Sequence, residues 1–205
     1  MFHDAFHFDA NLWNNLFADD DHENVVMDTH KYYAWNAQHG DIGTYCDDIG
    51  NEMSMAKQIK YDVWVGEWSL ATDTCAHWLE GFNNGGTSPS RPCKRVECPH
   101  TYMKEKGVDF DRTIDELGPF GKQGRDANLD HVTIKKGTCT IDSDFYSEED
   151  VMRLGQCYLD IFNDEVQAHF MWTVRNELEP RWNYVQSYDK GWIKNKSDKT
   201  EVFLQ

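Results

Sequence analysis

The strongest constraint on this chain is an alternation between two hydrophobic patterns. Residues 24–29 run through Val25, Val26 and Met27 without a break, as a buried strand does. Residues 61–68 alternate and are rich in Val and aromatics, and residues 168–174 read as a further buried strand. Residues 44–57 are compatible with a helix that Gly50 weakens. Thr72 or Asp73 is placed to cap a short helix through Leu79 that Gly81 stops. Ser147-Glu148-Glu149-Asp150 is an N-cap followed by acids in the first turn. Behind it Met152, Leu154, Tyr158, Ile161 and Phe162 recur at helical spacing as a core-facing stripe. Strands alternating with helices imply parallel βαβ units, hence an α/β class. Right-handed crossovers leave an open parallel sheet or a barrel, and in both function gathers at the C-terminal ends of strands. The 205 residues suit one domain, 1–205.

Residues 83–145 break the alternation. They hold Gly85-Gly86, Pro89, Pro92, Pro99, Gly118-Pro119, Gly121 and Gly124 with little periodicity, and read as a long irregular insertion. Three of the six cysteines, Cys93, Cys98 and Cys139, lie here; the others are Cys46, Cys75 and Cys157. An even count permits three disulfides without fixing their pairing. Zinc is the rival reading, but the spacing does not repeat as paired CxxC, so a disulfide-bearing, secreted protein is the expectation and no metal is assigned.

The formal net charge is −16, from 36 acidic and 20 basic residues. That argues against nucleic acid, whose phosphates need a basic footprint, and against anionic membrane surfaces. It suits a neutral substrate such as a polysaccharide. No stretch approaches the roughly 18 apolar residues of a membrane span. The opening Met1-Phe2-His3-Asp4-Ala5-Phe6 lacks the basic and apolar regions of a signal peptide, so the chain reads as starting inside a domain. The eight Trp and nine Tyr exceed an ordinary core's needs. Such a surplus either fills a Trp-rich core or lines a site that stacks on the apolar faces of sugar rings.

Three strand ends carry polar and aromatic residues together: Asp28-Thr29-His30-Lys31-Tyr32, Glu67-Trp68-Ser69, and Trp172-Thr173-Val174-Arg175-Asn176-Glu177. Glu67 is the sharpest. A carboxylate at the end of an apolar strand is costly unless paired or used. It is either a nucleophile for an anomeric carbon or a salt-bridged structural Glu. His30 is either a hydrogen-bonding partner of a sugar or carboxylate, or an ordinary loop His. Tyr32 is placed to orient Glu67 through its hydroxyl. Trp35 and Trp172 are candidates for stacking on sugar, and Trp172 equally for core.

Four segments carry a resemblance. Val25-Val26-Met27-Asp28-Thr29-His30-Lys31-Tyr32, Val65-Gly66-Glu67-Trp68-Ser69, Thr72-Asp73-Thr74-Cys75-Ala76-His77-Trp78-Leu79-Glu80-Gly81 and Phe170-Met171-Trp172-Thr173-Val174-Arg175-Asn176-Glu177 resemble glycoside hydrolase family 5, and within it the fungal-type exo-1,3-β-glucanases. The resemblance implies a partial (β/α)8 TIM barrel, strands five to eight, with the long insertion between strands seven and eight. It implies retaining hydrolysis of β-1,3-linked glucan without a cofactor, at the cell wall or outside the cell. By resemblance Glu67 is the nucleophile, His30 and Tyr32 lie in the sugar site, Trp35 belongs to an entrance clamp, and Trp172 forms part of the glucose pocket.

The chain also departs from the family. A retaining mechanism needs two carboxylates about 5 Å apart. The family's acid/base is the Glu of an Asn-Glu-Pro motif after strand four, and no such motif precedes Glu67. Asn176-Glu177-Leu178-Glu179-Pro180 matches a different family motif and is not given that role. Val174 and Arg175 stand where the family usually has an aromatic and a Lys. A half-barrel leaves sheet edges open, so completion by a second chain is one expectation, with little activity for the isolated chain. The alternative is an inactive carbohydrate-binding pseudoenzyme. A metal protein built on the nine His is weaker, because they show no ligand spacing such as HExxH.

Overall fold

The computed structural model describes residues 1–17, 24–36, 40–76, 79, 87–88, 91–97, 138–141, 145–176 and 178–194. In chain order the elements are β1 (Phe2–His3), α1 (Ala10–Trp13), β2 (Val26–Lys31), α2 (Ile42–Met53), β3 (Asp62–Trp68), four short strands β4 (Thr87–Ser88), β5 (Arg91–Pro92), β6 (Lys94–Glu97) and β7 (Thr138–Ile141), then α3 (Glu148–Glu165), β8 (Ala168–Met171) and α4 (Tyr184–Asp189). Strands β1, β2, β3 and β8 lie side by side in that order, and every pair is parallel. The class is therefore α/β, with a four-stranded parallel sheet compatible with part of a TIM barrel.

The helices form where capping and apolar spacing agree. Asp41 caps α2 by accepting the Gly43 and Thr44 backbone N–H groups, and Ile42, Tyr45, Ile49 and Met53 make its buried stripe. Gly50 does not interrupt the helix; a Cβ there would meet Ile161 of α3 at ordinary contact distance, 3.7 Å. The Ser147–Asp150 capping box opens α3. Its buried stripe is Val151, Leu154, Tyr158, Leu159 and Phe162, whereas Met152, expected in the core, is 39% exposed. Residues i, i+3 and i+4 share a helix face, and Met152 lies one position off the stripe that Val151 leads. Gly155 is required as glycine, because a Cβ would collide with the Trp192 backbone carbonyl. That close approach seats Trp192 and Ile193 in the core.

Both helices cover one face of the sheet. Val65, Trp68 and Leu70 pack against Tyr45, Ile49, Met53, Leu154, Tyr158 and Phe162. Each fully buried large side chain stabilises the fold by about 1.5–3 kcal/mol relative to exposure. The Cys46–Cys157 disulfide joins α2 to α3 behind this core. A smaller cluster of Met27, Ala56, Ile59, Tyr61 and Val63 continues it toward β1.

Residues 72–76 are irregular, so the short helix expected from Thr72 or Asp73 does not start there; Leu79 is helical, and residues 77, 78, 80 and 81 lie outside the described residues. Asp73 instead accepts the Cys75 N–H and holds Arg181. The 83–145 segment is more regular than expected where described: β4 pairs with β5, and β6 pairs antiparallel with β7. The Cys75–Cys93 disulfide ties it to the loop after β3. Cys98 falls outside the described residues, as does the Cys139 side chain. Among the described residues, no helix is long and apolar enough to cross a membrane.

Candidate active site

The opposite face of the sheet carries Asp28 and His30 from β2 and Trp64 and Gly66 from β3, all half-buried. Thr29 pairs with Val65, but His30 pairs with Glu67, so the register slips past Gly66. A slip of one residue reverses which side chains share a face. Here it sets His30 and Glu67 opposite each other at the C-terminal ends of adjacent parallel strands.

The Tyr32 hydroxyl donates to Glu67 Oε2 at 2.6 Å. His30 Nδ1 faces the same oxygen at 3.4 Å, while its Nε2 faces Asp28 Oδ2 at 3.3 Å. Carboxylates only accept, so the ring serves both only with protons on both nitrogens. Burial, then the hydrogen bond to Glu67 and its charge, push the Tyr32 phenol well above its ordinary range, so Tyr32 remains a donor. Among the described residues, Glu67 Oε1 has no protein hydrogen-bond partner. One oxygen is thus fixed and the other left for a ligand.

Aromatic rings surround Trp182. Tyr32, Trp35 and Trp172 lie 5.3, 6.0 and 5.7 Å from it, ring centre to ring centre. Trp182 is buried, while Trp35 is 53% and Trp172 39% exposed. Trp182 is held from below. Arg181 makes a two-pronged contact with Asp73, 2.9 Å on each arm, and its Nε donates to Glu179 at 2.9 Å. The Leu70 N–H donates to the Arg181 carbonyl, joining the loop after Glu67 to the segment after β8. Trp172 follows β8 directly, and its peptide to Thr173 is cis.

The structure therefore brings Glu67, His30 and Tyr32 into contact, and Tyr32, Trp35 and Trp172 onto one aromatic cluster. Glu179 is buried against Arg181, and Glu177 lies outside the described residues. Sequence reasoning missed Asp28, Arg181 and Trp182. Asp28 had a legible signal, being two residues from His30 on a strand and so on the same face. Trp182 had none, because its place depends on a turn after β8.

His3, Asp28 and His30 each offer one possible metal ligand atom, all within 4.8 Å of one another. His3 Nδ1 already accepts the Ala5 N–H at 2.9 Å, which in the neutral ring leaves the proton on Nε2. The group reads as a cluster of charge-pair and ring contacts rather than a ligand set.

Three similarities to curated proteins bear on this geometry. Over 211 aligned residues the chain is 27% identical to a glucan 1,3-beta-glucosidase of Blumeria graminis, covering 98% of this chain and 40% of that protein. This chain is similar to glucan glucosidases. A glucan 1,3-beta-glucosidase 2 of Candida albicans is 28% identical over 46% of the chain and 22% of its own length. A glucan 1,3-beta-glucosidase of Schwanniomyces occidentalis is 33% identical over 36% of the chain and 18% of its own length. The chain thus spans about two-fifths or less of each of these relatives. No protein-family model matches it.

Proposed function

We propose that the chain carries the nucleophile side of a retaining glucosidase acting on β-1,3-linked glucan, with Glu67 as nucleophile. The observation that carries this is the single oxygen of Glu67 held by Tyr32, with His30 beside it, while the other oxygen has no protein partner among the described residues. Free Oε1 attacks the anomeric carbon, the bond to the leaving oxygen breaks, and that oxygen takes a proton from an acid/base. Water then attacks the glycosyl ester, gives its proton back to the acid/base and releases Glu67. Trp35 and Trp172 offer faces on which sugar rings stack, and the net charge of −16 suits a neutral polymer.

On this reading the sheet corresponds to strands five to eight of a barrel in the manner of glycoside hydrolase family 5. The 83–145 segment is then an insertion between strands seven and eight. The acid/base is sought in the portion of the relatives that this chain does not cover, supplied by further sequence or by a second chain. The disulfides fit an enzyme that works outside the cell or in the cell wall. A second reading is an inactive carbohydrate-binding protein, favoured by the exposed aromatics alone.

The two separate on substrates that differ in their need for acid assistance. A dinitrophenyl β-glucoside leaves without a proton, and a laminarin oligosaccharide does not. The chain is expected to cleave the first slowly and the second hardly at all, with Glu67→Gln losing the first activity. Turnover unchanged in Glu67→Gln removes Glu67 from the mechanism. Saturable laminarin binding with no cleavage of either substrate favours the binding protein.

A further inference from the structure

Asp28 is not explained by the sugar site or by the sheet. Its side chain is 18% exposed, its Oδ2 faces His30, and its Oδ1 is buried with no hydrogen-bond partner among the described residues. A buried carboxylate oxygen without a partner costs free energy, so something must hold it there. The space it occupies is made by a neighbour: a Cβ at Gly66 would collide with the Asp28 carboxylate. Gly66 lies immediately before Glu67, at the register slip. Thus the backbone that carries the nucleophile and the carboxylate behind His30 share one volume that only glycine allows.

Among the described residues, few groups face His30. His3 from β1 packs edge-on to its ring at 4.4 Å, Asp28 lies on its own strand, and Glu67 faces it from β3. The Phe6 ring lies at 6.2 Å. His30 therefore sits between two acceptors, one half-buried and one at the open end of the site. An acceptor behind a histidine fixes ring orientation and the site of its protons, which in turn fixes what the front nitrogen offers.

We propose that Asp28 is a positioning residue for Glu67, acting through His30, and that Gly66 is glycine in order to admit it. This rests on the reading of Glu67 as nucleophile only for its catalytic consequence; the Asp28–His30 contact can be tested without it. With a proton on each ring nitrogen, Asp28 takes the Nε2–H and holds His30 so that the Nδ1–H points at Glu67 Oε2 beside the Tyr32 hydroxyl. Two donors on one oxygen keep the other turned to the ligand.

The test uses the 205-residue chain, its Asp28→Ala, Asp28→Asn and Gly66→Ala variants, and the Asp28→Ala/Gly66→Ala double variant. Two readouts are taken: the His30 ring signals in a proton–nitrogen spectrum, and the rate at which a 2-deoxy-2-fluoro-β-glucosyl fluoride labels the chain. The wild type is expected to show a His30 Nε2–H signal slowed in exchange, which Asp28→Ala loses. Labelling slows about tenfold or more in Asp28→Ala and in Gly66→Ala, as a misplaced reacting group does. The double variant is expected to label no more slowly than Asp28→Ala alone, because the clash has gone and coupled neighbours do not add. Asp28→Asn, which keeps the shape and an acceptor, falls between and serves if Asp28→Ala does not fold. Additive losses, or a His30 signal unchanged in the Asp28 variants, overturn the proposal. If the wild type is not labelled at all, the nucleophile reading falls, and the His30 signal alone decides the Asp28 contact.

Discussion

The two faces of the parallel sheet follow different rules. On the covered face Met27, Val63 and Val65 are buried beneath helices and loops, and their neighbours are chiefly apolar. On the other face Asp28, His30 and Trp64 are half-buried, and the contacts that matter are hydrogen bonds and charge pairs. The first face is specified by volume and period; the second by which atom meets which. Substitutions on the covered face should therefore change stability, and those on the open face should change chemistry at nearly constant stability.

The largest expected effect tests the covered side. Phe162→Ala removes a fully buried ring from the contact with Trp68 and Tyr158, and is expected to destabilise by about 3–5 kcal/mol in denaturant unfolding. A loss below about 1 kcal/mol would mean that α3 is not packed as described. Tyr32→Phe sharpens the comparison from the open side. It deletes one donor to Glu67 while keeping the ring against Trp182, and should slow labelling or aryl-glucoside turnover about 10- to 100-fold with little change in stability. Comparable loss of stability and rate would erase the distinction between the faces.

Ser147→Ala comes next. It removes the side-chain acceptor for the Asp150 N–H and is expected to cost about 1 kcal/mol, measured by melting, with no effect at the site. The smallest effect is a pH dependence. Burial holds the His169 imidazole below its ordinary value of 6.5, so the folded state binds fewer protons than the unfolded chain. The stabilising contribution is full above 6.5 and declines as pH falls toward the folded-state value, a slope that His169→Gln should remove. An unchanged slope in that variant would place the titration elsewhere.

The covered face was legible in the sequence because period and burial coincide. Residues 24–29 and 61–68 announced β2 and β3 to within a few positions, and Ser147 announced α3. Met152 was misplaced because a helix with charged residues on most sides leaves its apolar stripe uncertain by one position. The open face was legible only in part. Glu67, His30, Tyr32, Trp35 and Trp172 stood out at strand ends, but a register slip is invisible in a pattern of residue types, so the His30–Glu67 pairing could not be read. Arg181 and Asp73 are 108 residues apart, and nothing local marks such a partnership. The strand that Ala168 begins stops at Met171 rather than at residue 174, because the chain turns at Trp172 into the segment that returns Trp182 under Tyr32.

The central claim is that one oxygen of Glu67 is fixed and the other is free to bond to an anomeric carbon. The most direct measurement is peptide mapping by mass spectrometry after incubation with 2-deoxy-2-fluoro-β-glucosyl fluoride. Fluoride leaves without a proton, so the outcome does not depend on an acid/base. One fluoroglucosyl group on the peptide containing Glu67, absent in Glu67→Gln, is the expected result. An unlabelled chain, or a label on any other residue, would contradict it.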